Sequence, residues 1–143
     1  MSASNLSALP CPVNPTVSTP LQLRILCVDD NPDVADSLGA MLRLYGAEVA
    51  VCHSGPAALA TAGWFRPDAA VLDISMPGMD GLQLAARLRA AAGERPLLLA
   101  AVTAHDGYKA FAEEADAGFD LHFTKPADPG ELIEALHDFR RAK

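Results

Sequence analysis

The chain has few cysteines and no long apolar segment, and each shortage excludes a class of protein. Its three cysteines, Cys11, Cys27 and Cys52, match neither a paired disulfide framework nor a Cys-x-x-Cys metal spacing. We therefore expect a reducing compartment, with Cys27 and Cys52 acting as small apolar side chains. No apolar run is long enough to cross a bilayer, and the N-terminal segment lacks the basic and apolar regions of a secretory signal.

Positive charge is also scarce. The chain carries 11 basic and 18 acidic side chains, which give a formal net charge of -7 at pH 7. Such a balance argues against direct binding to a nucleic-acid backbone, so DNA contact would need another chain. With 143 residues, of which 50% are apolar and 20% charged, the composition predicts one globular domain with a single hydrophobic core.

The first 22 residues differ in composition from the rest. They contain Pro10, Pro12, Pro15 and Pro20 among serine, asparagine and threonine. Such a segment buries too little apolar surface to offset the entropy lost on ordering it. We therefore expect a flexible arm or linker over residues 1–22 and a folded domain over residues 23–143.

From residue 23 onward, strand-like and helix-like segments alternate. Short apolar runs predict five strands, and between them cap signals and helical periodicity predict five helices. Asn31, Ser54, Asp80 and Asp128 are the expected caps, and the fourth helix, at about 106–117, has a weak apolar stripe. The residues expected to face the core are Val34, Leu38, Met41, Leu42 and Tyr45 in the first helix and Leu82, Ala85 and Leu88 in the third. Five such units imply a parallel sheet covered on both faces.

Polar residues follow four of the predicted strands. The first strand ends on Asp29-Asp30, the third on Asp73, the fourth on Thr103 and the fifth on Lys125. Open α/β sheets place their chemistry at these carboxyl ends. Three carboxylates gathered there would repel one another unless a cation neutralised them, and a hard divalent ion with oxygen ligands fits that need.

This set of residues, in this order, resembles the receiver domain of two-component response regulators over about residues 24–140. The run 118–126 is most similar to receivers of hybrid histidine kinases. The resemblance implies a flavodoxin-like (CheY-like), doubly wound α/β fold, with a five-stranded parallel sheet in the order 2-1-3-4-5 and five helices. We find no internal repeat and no fingerprint of a dinucleotide site or a hydrolase elbow.

The resemblance also assigns roles to individual residues. Asp73 would be the phosphoacceptor, Lys125 a fixed positive charge beside it, and Thr103 a hydrogen-bond donor to the phosphoryl group. The bond before Pro126 would be cis. Mg²⁺ would be held by Asp30, Asp73 and the backbone carbonyl of Ser75, with Asp29 acting mostly through water.

His122 is a partial departure from the family. It lies three positions before Lys125, where the family more often has tyrosine or phenylalanine, coupled to the threonine of the fourth strand. A switching role and a half-buried structural role are both open for this histidine.

The implied function is phosphorelay signalling. The domain would take a phosphoryl group from a phosphohistidine of a histidine kinase or phosphotransfer protein, catalysing its own phosphorylation and dephosphorylation without being a dedicated enzyme. The alternative is an inert receiver that serves as an interaction module, whose usual mark is loss of the acceptor aspartate or the lysine; both are present here. A dimer through the fourth helix, fifth strand and fifth helix is a candidate assembly, without direct contact to nucleic acid or membrane. We expect a cytoplasmic location, as a single-domain regulator, a phosphotransfer sink or part of a hybrid kinase.

Overall fold

A computed structural model of the chain describes residues 20–74, 81–103, 118–124 and 128–142, without the side chains of Thr103 and Thr124. Within these ranges the chain forms five strands and four helices. They are, in order, β1 (Arg24–Val28), α1 (Pro32–Leu44), β2 (Glu48–Cys52), α2 (Gly55–Phe65), β3 (Ala69–Asp73), α3 (Gly81–Ala92), β4 (Leu98–Thr103), β5 (Leu121–Thr124) and α4 (Pro129–Ala142). The predicted helix at 106–117 lies outside the described residues, so α4 corresponds to the fifth predicted helix.

All neighbouring strands pair in parallel, in the order β2-β1-β3-β4-β5. This is the predicted 2-1-3-4-5 order, and the predicted fold is confirmed. The order places β1 directly beside β3, the central strand. From β1 the chain passes through α1 to the edge strand β2 and returns through α2 to β3. The polar residues that end β1 and β3 are thereby brought to one edge.

Local capping explains where the helices begin. The Asn31 side chain accepts hydrogen bonds from the backbone amides of Asp33 and Val34, at 3.0 and 3.4 Å, and Pro32 follows it at the first helical position. Ser54 caps α2 in the same manner, since its hydroxyl accepts from the amide of Ala57 at 3.2 Å. The predicted caps Asn31 and Ser54 are confirmed, and the Asp128 carboxylate accepts from the amide of Gly130 at 2.9 Å where α4 begins. The expected cap Asp80 lies outside the described residues.

The core has one layer on each face of the sheet. On one face the largest buried side chains of α1 and α4 pack against β1, β3 and β4; on the other, those of α2 and α3 pack against the same strands. The principal members are Leu42, Leu132, Ile133 and Leu136 in the first layer and Ala58, Leu84, Ala85 and Leu88 in the second. Every residue of β3 is buried, as expected for a central parallel strand.

Burial differs from the predicted apolar stripes in two helices. In α3 the most deeply buried leucines are Leu84 and Leu88, and Leu82 is partly buried. In α1, Val34 is 38% exposed, whereas Ala35 is buried in its place. The cause in α1 is close approach to β2, because a Cβ added at Gly39 would lie 2.7 Å from Cγ2 of Val51. Small residues therefore form the contact face, and the larger Val34 lies beside it.

The chain joins the core before residue 23. Leu21 is fully buried, and its amide donates to the carbonyl of Tyr45 at 2.8 Å. Gly46 has a φ of +91°, and a Cβ there would lie 2.6 Å from Cβ of Pro20, so this turn needs glycine. None of the helices in the described ranges has the length and apolar character that a membrane crossing requires.

Candidate functional site

Three acids meet at the carboxyl edge of the sheet. Val28 of β1 lies opposite Leu72 of β3, so the residues that follow them come together. Asp29, Asp30 and Asp73 each offer a carboxylate oxygen, and these three oxygens lie within 4.8 Å of one another. Asp29 and Asp73 are buried, with 6% and 5% of their surface exposed, while Asp30 is exposed. The cluster is thus held by the sheet on one side and open to solvent on the other.

Backbone contacts orient the first of these acids. The amide of Asp29 donates to the carbonyl of Cys52 at 3.2 Å, which extends the pairing of β1 with β2 by one residue. Its carboxylate accepts from the amide of Asn31 at 2.9 Å. Because α1 begins at Pro32, the positive end of its helix dipole lies next to the cluster and favours negative charge there.

Gly81 places the backbone of Asp73. A Cβ at Gly81 would lie 2.6 Å from the carbonyl oxygen of Asp73 and 2.7 Å from Cα of Ile74. The amide of Gly81 donates to the carbonyl of Ile74 at 2.9 Å, so α3 starts directly against the end of β3. Only glycine permits this close approach, and the position of Asp73 depends on it.

The remaining predicted site residues are only partly described. Thr103 is the last residue of β4 and lies opposite Thr124 of β5, which immediately precedes Lys125 in the chain. Thr103 therefore reaches the same edge as the acids. Ser75, Lys125 and Pro126 lie outside the described residues, as does the side chain of Thr103, and their roles stay predictions.

His122 lies in β5, two residues before the strand ends at this edge. Its strand partner is Ala101, two residues before Thr103. The side chain is partly buried, and its ring centroid is 6.2 Å from that of Phe119 at an interplanar angle of 49°. The two open roles for His122 are not separated by this packing, and the switch stays a prediction.

A polar clamp at the entrance to β5 was not predicted from the sequence. Arg89 of α3 donates to the carbonyls of Leu97 and Gly118 and, at 3.1 Å, to the Asp120 carboxylate. That same carboxylate accepts from the amide of Leu99 at 2.9 Å. The clamp joins α3 and β4 to the chain that leads through β5 toward Lys125. Nothing in the sequence pairs Arg89 with a residue 31 positions away.

A groove of about 630 Å³ runs from the acids along α1. It is lined mainly by apolar side chains of α1 and the central strands, with Asp29 and Asp73 where those strands end. We call it the α1 groove; its apolar lining comprises Cys27, Val34, Leu38, Met41, Val71 and Val102. Burial raises the pKa of the Cys27 thiol to about 12, partly opposed by the Arg43 guanidinium, so this cysteine stays protonated at neutral pH.

A doubly wound parallel sheet with an acidic cluster at its switch point defines the architecture of a receiver. A family model described as the response regulator receiver domain matches residues 25–137. The chain therefore belongs to the receiver domains of response regulators, the phosphorylation-dependent modules of two-component signalling.

Curated relatives agree with this assignment. The response regulator MprA of Mycobacterium bovis is 36% identical over 121 residues, and that of Mycobacterium avium is 37% identical over 119 residues. The alignments cover 85% and 83% of this chain but 52% and 51% of the relatives. The chain thus spans about half the length of the curated relatives it matches.

Solved structures show the same fold. The receiver domain of the Francisella response regulator 1452 matches with a TM-score of 0.74 and 26% identity, covering 85% of this chain and 100% of that one. The receiver domain of the sensor histidine kinase PA1611 from Pseudomonas aeruginosa PAO1 matches with a TM-score of 0.73 and 29% identity. That alignment covers 84% of this chain and 98% of the neighbour, whose active-site cleft holds a coordinated magnesium ion.

Proposed function

We propose that the domain accepts a phosphoryl group on Asp73 from a phosphohistidine of a histidine kinase or phosphotransfer protein. The observation that carries this proposal is the position of Asp73, buried at the end of the central strand with its carboxylate at the cluster. A carboxylate oxygen can attack phosphorus to form an acyl phosphate. The new O–P bond then replaces the P–N bond of the donor, and the imidazole leaves with its electron pair and takes up a proton.

Charge compensation would be the main catalytic contribution, because a phosphoryl group carrying negative charge approaches three acids. Lys125, the residue after β5 in the sequence, would supply a fixed positive charge. Thr103, at the end of β4, would donate its hydroxyl proton to a phosphoryl oxygen. Both roles rest on the family resemblance together with the strand register that brings β3, β4 and β5 to this edge.

The donor set suits Mg²⁺. Carboxylate oxygens within 4.8 Å of one another can share one small hard ion, and the exposure of Asp30 leaves room for the waters that magnesium retains. We assign the ion to Asp30, Asp73 and the backbone carbonyl of Ser75, with Asp29 acting through water. When bound, the ion supplies positive charge that offsets the phosphoryl oxygens. The PA1611 receiver supports this assignment by its own magnesium ion.

The test is chemical labelling with a small phosphodonor such as acetyl phosphate in the presence of Mg²⁺. We expect mass spectrometry to place one alkali-labile phosphoryl group on Asp73 and Asp73→Asn to abolish labelling. Asp68→Asn is the matched control, because Asp68 directly precedes the same strand, at its opposite end.

Two results would contradict the proposal. One is a label on a residue other than Asp73, and the other is labelling that survives in Asp73→Asn. A folded parent protein that binds Mg²⁺ but takes no label from any donor would favour the inert interaction module instead.

A further inference from the structure

The α1 groove is an apolar surface that the described residues leave partly open. Val34 at its rim is 38% exposed, and Leu38 and Met41 are only partly buried. An apolar segment that fits this groove would gain by leaving water.

The N-terminal arm enters the fold on the groove's face of the sheet. The amides of Leu21 and Gln22 donate to the carbonyls of Tyr45 and Gly46, at 2.8 and 3.2 Å, beside the C-terminal end of α1. The Gln22 side chain also accepts a hydrogen bond from Arg140 near the end of α4. The described part of the chain therefore begins, at Pro20, next to the two helices that cover this face.

The arm matches the groove in charge and in composition. Residues 1–19 contain no Asp, Glu, Lys or Arg, so they meet no side-chain repulsion at the acidic end of the groove. Alone, the arm buries too little apolar surface to become ordered, but its four large aliphatic side chains, Leu6, Leu9, Val13 and Val17, would find an apolar partner in the groove. Its prolines limit the conformational freedom that the unbound chain can lose.

The arm is also long enough. The 13 residues of α1 span about 20 Å at the helical rise per residue. An extended chain of 19 residues reaches up to about 60 Å, so residues near the start of the arm can lie along the whole helix. Covalent attachment at Pro20 further favours binding by raising the effective concentration of the arm at the groove.

We propose that residues 1–19 pack into the α1 groove. The arm is then the intramolecular occupant of this groove. The packing itself does not depend on phosphorylation of Asp73, so it can be tested separately from the proposed function.

The experiment uses the full chain with a nitroxide spin label on Cys11. Cys27 and Cys52 are buried in the fold, and the raised pKa of Cys27 keeps its thiol protonated, so the label goes to Cys11. In amide NMR spectra we expect the oxidised label to broaden the signals of residues 34–41 in α1. The amides of residues 57–62 in α2, on the opposite face of the sheet, should keep their intensity. Equal intensities at both helices, with the label oxidised or reduced, would overturn the proposal.

Two substitutions in α1 form a matched pair. Ser37 and Ala40 are both exposed, but only Ser37 lines the groove. Ser37→Glu should displace the arm and restore the α1 signals, because it adds a charge to the apolar lining. Ala40→Glu adds the same charge outside the groove and should leave the broadening intact. Broadening that survives both substitutions would place the arm elsewhere and overturn the proposal.

A mixed sample shows whether the arm comes from the same molecule or from a second copy. It contains isotope-labelled protein without the nitroxide and spin-labelled protein without isotopes. Broadening seen only when both labels are on one molecule means that each arm covers its own groove. Broadening of full size in the mixed sample means that a second copy supplies the arm, which would overturn the intramolecular packing proposed above.

Discussion

The two edges of the sheet use acidic side chains in opposite ways. At the carboxyl edge, which we call the acid edge, Asp29, Asp30 and Asp73 bring their carboxylates within 4.8 Å of one another. At the amino edge, which we call the paired edge, Glu48 accepts from Nε of Arg24 at 3.0 Å, and Asp68 accepts from the Arg24 amide at 2.9 Å.

The difference separates stability from function. At the paired edge each carboxylate gains a donor, and Arg24 also donates to the carbonyl of Phe65 at 3.0 Å, so the acids help to hold α2 and the strands together. At the acid edge Asp29 accepts from the Asn31 amide, but three carboxylates lie close together, and an added cation would reduce the repulsion among them. Within the described residues, the paired edge is stabilised by its own contacts, whereas the acid edge has the donor set of a cation site.

The largest expected change in stability comes from a substitution against the backbone of the acid edge. Gly81→Ala should lower the free energy of unfolding by about 1–3 kcal/mol, because the added methyl group overlaps the backbone of Asp73 and Ile74. Gly63→Ala is the matched control, since nothing lies within 4 Å of a Cβ there and alanine favours the interior of α2 by about 0.5–1 kcal/mol. The free energy of unfolding measured in urea should therefore fall in Gly81→Ala and rise in Gly63→Ala. Equal changes in the two variants would contradict the steric argument at Gly81.

The affinity for Mg²⁺ should depend on the acids of one edge and not on those of the other. Asp30→Asn should weaken Mg²⁺ binding at least about tenfold, equivalent to roughly 1.4 kcal/mol, because one of three clustered carboxylates is lost. Glu48→Gln removes the same charge from the paired edge and should leave the affinity close to that of the parent in calorimetric titration. If both variants weaken binding equally, the ion responds to net charge and not to the cluster.

Without magnesium, the two neutralising substitutions should change stability with opposite signs. Asp30→Asn should raise the free energy of unfolding, by roughly 1 kcal/mol or less, because repulsion is relieved at an exposed position. Glu48→Gln should lower it by a similar amount or less, because the pair with Arg24 is lost. Denaturant titration in a chelator measures both, and a gain in stability for Glu48→Gln would mean that the paired edge is no more favourable than the acid edge.

The smallest effect near neutral pH is expected at Cys27, which lies in β1 between the two edges. Its pKa is raised by burial from 9.0 to about 12, so the folded chain keeps a proton that the unfolded chain releases between these values. Stability should therefore fall as pH rises from 9 to 12, by at most about 1.4 kcal/mol per pH unit from this group. Cys27→Ala should reduce that slope. Identical slopes in the parent and the variant would contradict the burial argument.

Much of the fold follows from local signals in the sequence. Asn31 and Ser54 cap their helices because a short polar side chain meets free amides two or three residues later, and such contacts depend on neighbours in the chain. The clustering of Asp29, Asp30 and Asp73 was also predictable, since parallel strands share a carboxyl edge. The strand order itself came from the family resemblance.

Other features depend on contacts between distant segments. Periodicity included Val34 in the apolar stripe of α1. In the structure Val34 is exposed, and the buried face close to β2 contains Ala35 and Gly39. The clamp between Arg89 and Asp120 joins side chains 31 residues apart through a geometry that appears only after α3 and β5 have packed. Neither the α1 groove nor this clamp has a signature in local sequence.

The pairing of β1 with β3 also determines when the site can exist during folding. Asp29 and Asp73 are separated by two helices and a strand, so bringing them together requires closure of a long loop. Helices form from local contacts, whereas parallel pairing between distant strands is slow. We therefore expect the three acids to come together late in folding, only after β1 and β3 have paired. A partly folded chain would lack the site that the proposed phosphoryl transfer needs.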